Sequence, residues 1–530
     1  MLYLFIRNLN KEYFLIMKNN WTLLIGLMLF TSALSSAQPG SLDANFDADG
    51  KVITDIAGGP DYGSSMAIQP DGKIIVVGSS SSKIMVARYY PDGSMDNSFD
   101  LDGVVTTEIT GEDFGSSVVL QSDGKIVVAG RAFERICLVR YNTDGSLDDG
   151  FGSGGIVVSG FGEFAGGRCV VLQADGKILV ACTALIGGIE RNFIIFRYNT
   201  DGTLDNTFSF DGMVTTDFNG KYDRSVSIKV QADEKIVVAG SSGDNANNMD
   251  NSDFAAARYN TDGTLDNSFG KNGMVTTDFI GGRDFAHSMV LQPDGKILLN
   301  GFHDGNGSYE FATLRYNVDG TLDSTFNGDG KLITSLGIGN DSGSAIALQP
   351  DGKILLAGYS YNGDGRDFAL VRINSEGILD LSFGNFGKVF TDFGGEETVG
   401  KEIVVQSDGN ILVAGYTSKG YPAYDITLAR YLSGLNIGVI DFYKQDHNLL
   451  IYPNPLQDDA VIEYTLANDD IINIDLYDIS GRLMQSIVNS EERIMGSHKE
   501  QLNIDTSVPS GSYILTISNG AGSSSINVVK

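Results

Sequence analysis

Tryptophan is nearly missing from this chain: the only one, Trp21, lies near the N-terminus. Cysteine is scarce as well. Cys137, Cys169 and Cys182 are too few for a disulfide scaffold. The histidines, His287, His303, His447 and His498, show no metal-ligand spacing. Positive charge is in short supply, and the formal net charge is −30. Such a chain repels nucleic acid and anionic lipid, which argues against a DNA or RNA partner. Past the N-terminus no apolar run approaches a membrane span. What the chain has instead is glycine, 66 residues against 10 prolines. With 42% hydrophobic residues over 530 positions it is too apolar for disorder and too long for one ordinary core. Many short strands joined by tight turns are expected.

The N-terminus reads as a processing segment. Lys18 supplies a positive start, an apolar stretch runs from Trp21 to about Leu34, and Ser35-Ser36-Ala37 offers small residues to a signal peptidase. Cleavage is expected between Ala37 and Gln38, with Met17 the better start and residues 1–37 removed. The apolar run is short for a membrane anchor. Loss of Arg7, Lys11, Lys18 and Glu12 leaves the mature chain more acidic still.

Repetition is the strongest signal. Gln-x-Asp-Gly-Lys recurs at Gln69, Gln121, Gln173, Gln231, Gln292, Gln349 and Gln406, the fourth copy carrying Glu234 for Gly and the seventh Asn410 for Lys. A Leu/Met-Asp-x-x-Phe signature recurs at Asp43, Asp96, Asp148, Asp205, Asp266, Asp323 and Asp380. A third marker is Arg88, Arg140, Arg197, Arg258, Arg315, Arg372 and Arg430, followed by Tyr in all copies but the sixth. One unit reads as four strands, Gly50–Ile56, Ser64–Gln69, Lys73–Gly78 and Ile84–Tyr90. The third is apolar on both faces, so its sheet must be covered on both sides. The fold class is therefore all-β: a seven-bladed β-propeller followed by a small β-sandwich (Ig-like) domain. A β-helix is the alternative, but its repeats are usually shorter. Kelch and WD40 propellers are disfavoured by the missing tryptophan.

Pro70, Pro293 and Pro350 follow the motif glutamine. Proline fixes φ near −65° and excludes a type I′ turn there. A type I turn ending in a left-handed glycine closes a three-residue loop and pairs Gln69 with Lys73. The same register sets Cys169 opposite Ala181 and points Cys182 to the other face, which favours free thiols over a disulfide. If the Ser64–Gln69 strand is innermost, Gly50–Ile56 is the outermost strand of the preceding blade, and the N-terminal strand completes the last one. That latch removes an exposed edge.

The units Gln-x-Asp-Gly-Lys-Ile and Arg-Tyr-x-x-Asp-Gly-x-Leu-Asp-x-x-Phe resemble the delta-60 repeat family over about residues 40–434. The resemblance implies a propeller on a bacterial surface protein and supplies no catalytic residues. Residues 435–448 read as a linker. The segment after it, 449–530, has strands expected at Val461–Leu466, Ile472–Tyr477, Leu483–Val488, Gln501–Ile504, Gly511–Ser518 and Ser525–Val529. It resembles the type A C-terminal sorting domain of type IX secretion through Tyr452-Pro453-Asn454-Pro455, the Leu476–Leu483 run with Gly481, Pro509–Tyr513 with Gly511, and Lys530. This implies export from a Gram-negative bacterium of the Bacteroidetes type, with the secretion machinery as partner and a secreted or cell-surface destination.

A residue present in every blade normally serves the unit's own construction. The seven arginines are expected to pair with the seven signature aspartates, and Phe99 and its equivalents to fill the space between blades. Asp61, Asp113, Asp223, Asp284 and Asp341 precede the inner strand, where turn capping or a cation ring are both open, capping being favoured. Calcium is the one cofactor with candidate ligands: Asp304, Asn306 and Glu310, and Asn362, Asp364 and Asp367. Turn chemistry explains these equally well. The loops after the Lys73–Gly78-type strand differ in length and emerge on one face, where Tyr309, Tyr359, Tyr361, Tyr421 and Tyr424 are candidate ligand contacts. The expectation is a non-catalytic binding or adhesion scaffold for a surface glycan or protein. The alternative is an extracellular propeller hydrolase acting on a glycan or phosphate ester. It would need unpaired acids or histidines gathered in one channel mouth, from some blades only.

Overall fold

The computed structural model describes residues 38–530 except 57, 161–162, 187–189, 219–221, 244–250, 306, 338, 419, 421–422, 436–449, 453–459, 467–468, 479–482, 506–507, 509–511 and 519–522. The described residues form 35 strands and no helix.

In the first unit β2 (Asp61–Ile68), β3 (Ile74–Ser80), β4 (Lys83–Tyr89) and β5 (Val104–Thr107) make one antiparallel sheet in chain order. Four further sheets repeat that order, and so do the four strands of the sixth unit (Asp341–Leu348, Ile354–Tyr361, Arg366–Ile373 and Lys388–Thr391), which a single parallel bridge from Arg366 to Glu397 joins to the seventh. The seventh joins β26 (Glu397–Val405), β27 (Ile411–Ser418) and β28 (Tyr424–Tyr431) to β1 (Lys51–Thr54), the first strand of the chain. The N-terminal strand thus closes the last blade: Lys51 pairs Ala429 and Thr54 pairs Ile426. β1 is shorter than the sequence suggests, because the Asp55 carboxylate accepts from the Gly58 amide and turns the chain.

Apolar runs explain the stacking. β3 is buried at all seven positions, so each of its faces meets a neighbouring sheet. Seven separate apolar clusters result, one at each contact between consecutive units. One of them packs Leu412, Ala414, Ile426 and Leu428 of the seventh sheet against Ile74, Val76 and Met85 of the first. A linear stack of seven sheets has six such contacts; the seventh makes the array a closed ring. Phe46, Phe99, Phe151, Phe208, Phe269, Phe326 and Phe383 are fully buried in these clusters. Each contributes roughly 2 kcal/mol by burial. Tyr89, Tyr141, Tyr198, Tyr259, Tyr316 and Tyr431 cross the same contacts to a Thr or Ser of the preceding outer strand, as in Tyr259 Oη to Thr216 Oγ1 at 2.7 Å. The sixth copy has Ile373 there.

Blades approach closely where the inner strand carries Gly63, whose added Cβ would lie 2.5 Å from the Gly415 carbonyl oxygen of the seventh blade. The hairpin turn follows from its sequence: the Gln69 amide donates to the Lys73 oxygen at 2.8 Å, and Gly72 sits at φ 83°. Cys169 lies opposite Ala181, and all three cysteines are free.

The C-terminal module has two sheets. β29 (Leu450–Tyr452), β30 (Val461–Leu466) and β33 (Gly496–Gln501) form the first. β32 (Leu483–Arg493), β31 (Asp470–Asp478), β34 (Ser512–Ser518) and β35 (Ser523–Val529) form the second. One core that includes Ile462, Tyr464, Ile474, Leu476, Leu515 and Val528 lies between them, which makes a β-sandwich. The strand expected at Gln501–Ile504 is Gly496–Gln501 instead. Its Gly-Ser-His-Lys-Glu-Gln sequence carries no apolar alternation; the anchors are the His498 ring stacked on Tyr464 and Leu502 buried just beyond the strand.

Candidate functional site

The three repeat markers meet in one cluster at the hairpin end of each blade. Arg88 Nε donates to Asp96 Oδ2 at 2.7 Å, Lys73 Nζ lies 3.2 Å from the same oxygen, and the guanidinium lies over the Phe99 ring. Arg88 Nη1 also reaches the Thr143 carbonyl of the next unit, so the cluster ties blade to blade. Arg140–Asp148, Arg197–Asp205, Arg258–Asp266, Arg315–Asp323 and Arg372–Asp380 repeat the pair. The seventh arginine, Arg430, has no carboxylate of its own unit. It pairs with Asp43 at the start of the chain, the same latch seen in β1. Asn410 replaces the lysine there, and Arg430 contacts Asp43 through both Nε and Nη2. Burial works against the Asp96, Asp205, Asp266 and Asp323 carboxylates, but hydrogen bonds from Ser98 or its equivalent and from the motif lysine outweigh it. Their pKa values fall well below the usual carboxylate range.

The other end of the inner strands opens into a cavity of about 420 Å³. Tyr62, Ser64, Phe114, Ser116, Arg168, Arg224, Val226, His287, Ser344, Lys401 and Tyr416 line it. Most of these side chains occupy two positions of the inner strand, seven and five residues before the motif glutamine. In the first blade both are aromatic or hydroxylic (Tyr62, Ser64), in the third the second is Arg168, in the fourth the first is Arg224, and in the fifth and seventh the second is His287 and Lys401. Alternation along the strand turns these positions into the channel while the residues between them face neighbouring blades.

An aromatic wall stands on one side. The Tyr62 ring lies 4.8 Å from Tyr424, 5.1 Å from Tyr416 and 6.2 Å from Phe114. Arg168 and Arg224 stand on the other, and Lys401 stands beside the wall at Tyr416. Burial and the charge of Arg191 lower the pKa of Arg224. Arg168 is exposed to the channel, yet the crowding walls and the charges of Arg224, Arg191 and Arg131 bring it down to about 10. Burial, only partly offset by the Gly343 carbonyl 2.8 Å from Nδ1, lowers His287 to about 4; Arg224, Lys401 and Arg168 add to the effect. His287 is therefore neutral at neutral pH. Lys401 is lowered by burial against the opposing pull of Glu397, and its Nζ lies 5.6 Å from the Tyr416 ring centre. Beside the cavity Glu402, raised by burial, accepts from Ser65 Oγ at 3.2 Å.

Family comparison agrees with the repeat structure. The model for a domain of unknown function, the DUF5122 β-propeller, matches seven times, at residues 69–99, 121–151, 173–208, 231–269, 292–326, 349–383 and 406–436. The secretion system C-terminal sorting domain matches residues 450–530. The chain carries a DUF5122 propeller and a secretion sorting domain. No curated protein matches it in sequence. Among solved structures, virginiamycin B lyase from Staphylococcus aureus, a catalytically inactive form with quinupristin, is 11% identical with a TM-score of 0.42, over 72% of this chain and 98% of that one. The polysaccharide lyase Uly1 is 10% identical with a TM-score of 0.43, over 76% and 94%. YCF48 bound to a D1 peptide is 13% identical with a TM-score of 0.39, over 76% and 99%. Likenesses at this level carry no activity over to the DUF5122 propeller.

The sorting domain directs the protein out of the cell, to the surface or into the medium, and implies contact with the secretion machinery. No helix among the described residues is long and apolar enough to cross a membrane. In the domain, Tyr513 is buried in β34 and Lys530 Nζ donates to the Asp505 and Val508 carbonyls. Pro453, Pro455, Gly481, Gly511 and the cleavage residue Ala37 lie outside the described residues, as do Tyr421 and Asn306.

The remaining tyrosines divide. Tyr424 belongs to the aromatic wall. Tyr309 packs on Phe302 at 4.5 Å and under Arg283. Tyr359 stacks with Arg366, and Tyr361 bonds the Gly363 carbonyl at the surface. The calcium candidates are held by other contacts. Asp304 pairs with Arg283 and accepts from Gly307, while Asn362 accepts from Asp364 and Gly365 and donates to Asp367. Among the described residues, carboxylates close enough to share a cation occur instead at Asp55, Asp61 and Asp425 and at Asp253, Asp278 and Asp284. Within these sets Asp61 caps the Ile56 amide, and Asp284 caps Phe279 and bonds His303. Asp113, Asp223 and Asp341 cap the equivalent turns.

Sequence reasoning missed the mouth because its residues belong to no motif. The available signal was divergence: two positions of an otherwise uniform strand change from Tyr and Ser to Arg, His and Lys between copies.

Proposed function

We propose that this exported protein is a non-catalytic binding scaffold whose ligand sits in the mouth of the propeller channel. The observation that carries the reading is the composition of that mouth: half-buried aromatic rings, hydroxyls and cations, drawn largely from positions the repeat leaves free. Polar-tipped rings around a concave opening suit a ligand with apolar faces and hydroxyl groups, such as a glycan. The mouth lining includes no carboxylate, so the acid pair that glycoside hydrolysis needs is not supplied there. This favours binding over the hydrolase alternative.

An immobilised glycan array probed with the secreted full-length protein tests the reading. Binding should fall at least about ten-fold in Tyr62→Ala and in Tyr416→Ala. Unchanged binding in both variants sinks the mouth as the site. Release of cleaved glycan during incubation sinks the non-catalytic part.

A further inference from the structure

Arginine has two fates in this molecule. Each of the seven repeat arginines meets a carboxylate, and so do Arg283 and Arg366. Arg168 and Arg224 meet none. Among the described residues neither makes an ion pair or a hydrogen bond, and the buried Nε of Arg224 has no acceptor. Arg191, close enough for its charge to act on both, likewise has a buried Nε without an acceptor, its guanidinium resting 5.0 Å from the Tyr222 ring centre. Lys401 completes the set across the cavity. In a chain of net charge −30, acids are the cheapest neighbours to find, and the mouth has none in its lining. Gathering like charges without partners costs stability unless something else supplies the negative charge.

We infer that the ligand is an anionic glycan, whose carboxylate or sulfate groups enter the mouth between Arg168, Arg224 and Lys401 while its sugar rings lie against Tyr62, Phe114 and Tyr416. This rests on the mouth being the binding site and names what it takes. Guanidinium groups match both anions through paired N–H donors. Ser64, Ser116 and Ser344 beside them offer hydroxyls to hydroxyls. The acidic exterior opposes long, densely charged polymers over the rest of the surface, which disfavours nucleic acid.

The test uses calorimetry on the full-length protein with four probes: a galacturonate hexamer, a heparin-derived hexasaccharide, maltohexaose and poly-glutamate. Arg168→Ser and Arg224→Ser place at each site the residue another blade already carries there, Ser64 and Ser342 respectively, so folding is preserved. At least one anionic glycan should bind, with maltohexaose at least about ten-fold weaker. Each serine variant should lose about ten-fold or more, and raising salt should weaken binding. The stronger of the two anionic arms tells carboxylate from sulfate. Equal binding of maltohexaose, lost in Tyr62→Ala but kept in both serine variants, overturns the anionic ligand and leaves the mouth as the site. Poly-glutamate binding as well as either glycan overturns the glycan. If no probe binds, or if binding ignores every mouth substitution, both readings fall.

Discussion

The two ends of each inner strand treat charge in opposite ways. At the hairpin end, buried Arg and Asp recur in blade after blade beside a half-buried Lys, mutually satisfied. At the mouth, Arg168, Arg224 and Lys401 occur in single blades and face one another without acids in the lining. A repeat protein spreads its construction evenly, because every unit must meet the same neighbour. Recognition has no such constraint, since one ligand meets several blades at once. Repetition with a partner therefore marks construction, and singularity without one marks availability.

The comparison breaks first at the latch. Asp43→Ala should destabilise the protein by about 3 kcal/mol, because Arg430 is left buried with only the Pro91 carbonyl as acceptor. Arg224→Ser should change stability by no more than about 0.5 kcal/mol. Urea unfolding followed by tyrosine fluorescence measures both. Equal effects would erase the distinction between the two ends.

Acid should act on the hairpin end in the same direction. Asp96, Asp205, Asp266 and Asp323 have pKa values below the usual carboxylate range. A depressed carboxylate contributes in full above its unfolded value and loses its contribution as pH falls through the folded one. The urea midpoint should accordingly hold down to about pH 4 and drop steeply below it. Asp61, Asp284 and Glu402 are raised by burial and give the opposite sign, favouring the fold more at low pH. A midpoint flat from pH 5 to about pH 2 would mean that the repeat carboxylates do not hold the ring.

One copy departs from the construction rule and offers a smaller test. Glu234 sits at φ 64° where the other six hairpins have glycine, as Gly72 at φ 83°. A side chain in the left-handed region is strained by about 1 kcal/mol or more, partly offset by the extra freedom glycine gives the unfolded chain. Glu234→Gly should gain about 0.5–1 kcal/mol in the same urea assay. A loss would show that the Glu234 side chain contributes contacts of its own.

Blade number, strand order, hairpin register and latch were legible because each depends on a pattern copied along the chain: Gln69 and its equivalents fix the turn, and the array opens on the edge strand Gly50–Ile56 and ends at Tyr431 without one. The mouth was less legible. The unequal loops reached Tyr424, which packs on Tyr62 of the mouth, but the cations lie on strands, at Arg168, Arg224 and Lys401, where no loop length betrays them. The calcium candidates could not be told from turns in the sequence, for a related reason. Asx turns and metal loops use the same Asp, Asn and Gly, and only the hydrogen-bond partners of Asn362 and Asp304 separate the two.

His287 sharpens the comparison at the smallest scale. In the free protein its pKa of about 4 is set by burial and by neighbouring cations, so it is neutral where Arg168 and Arg224 are charged. An anion in the mouth would reverse the sign of the field on the ring and raise that pKa. A group whose pKa is higher in the complex takes up a proton on binding, so the gain is complete below the free value and vanishes above the bound one. Affinity for the anionic glycan should therefore rise by about two- to five-fold between pH 7 and pH 5. His287→Ser, which copies Ser64, Ser116 and Ser344, should flatten that rise without abolishing binding. Calorimetry at the two pH values reads both effects. A pH-independent affinity in the wild type would place the anion away from the histidine and narrow the site to the Arg168 and Arg224 side of the channel.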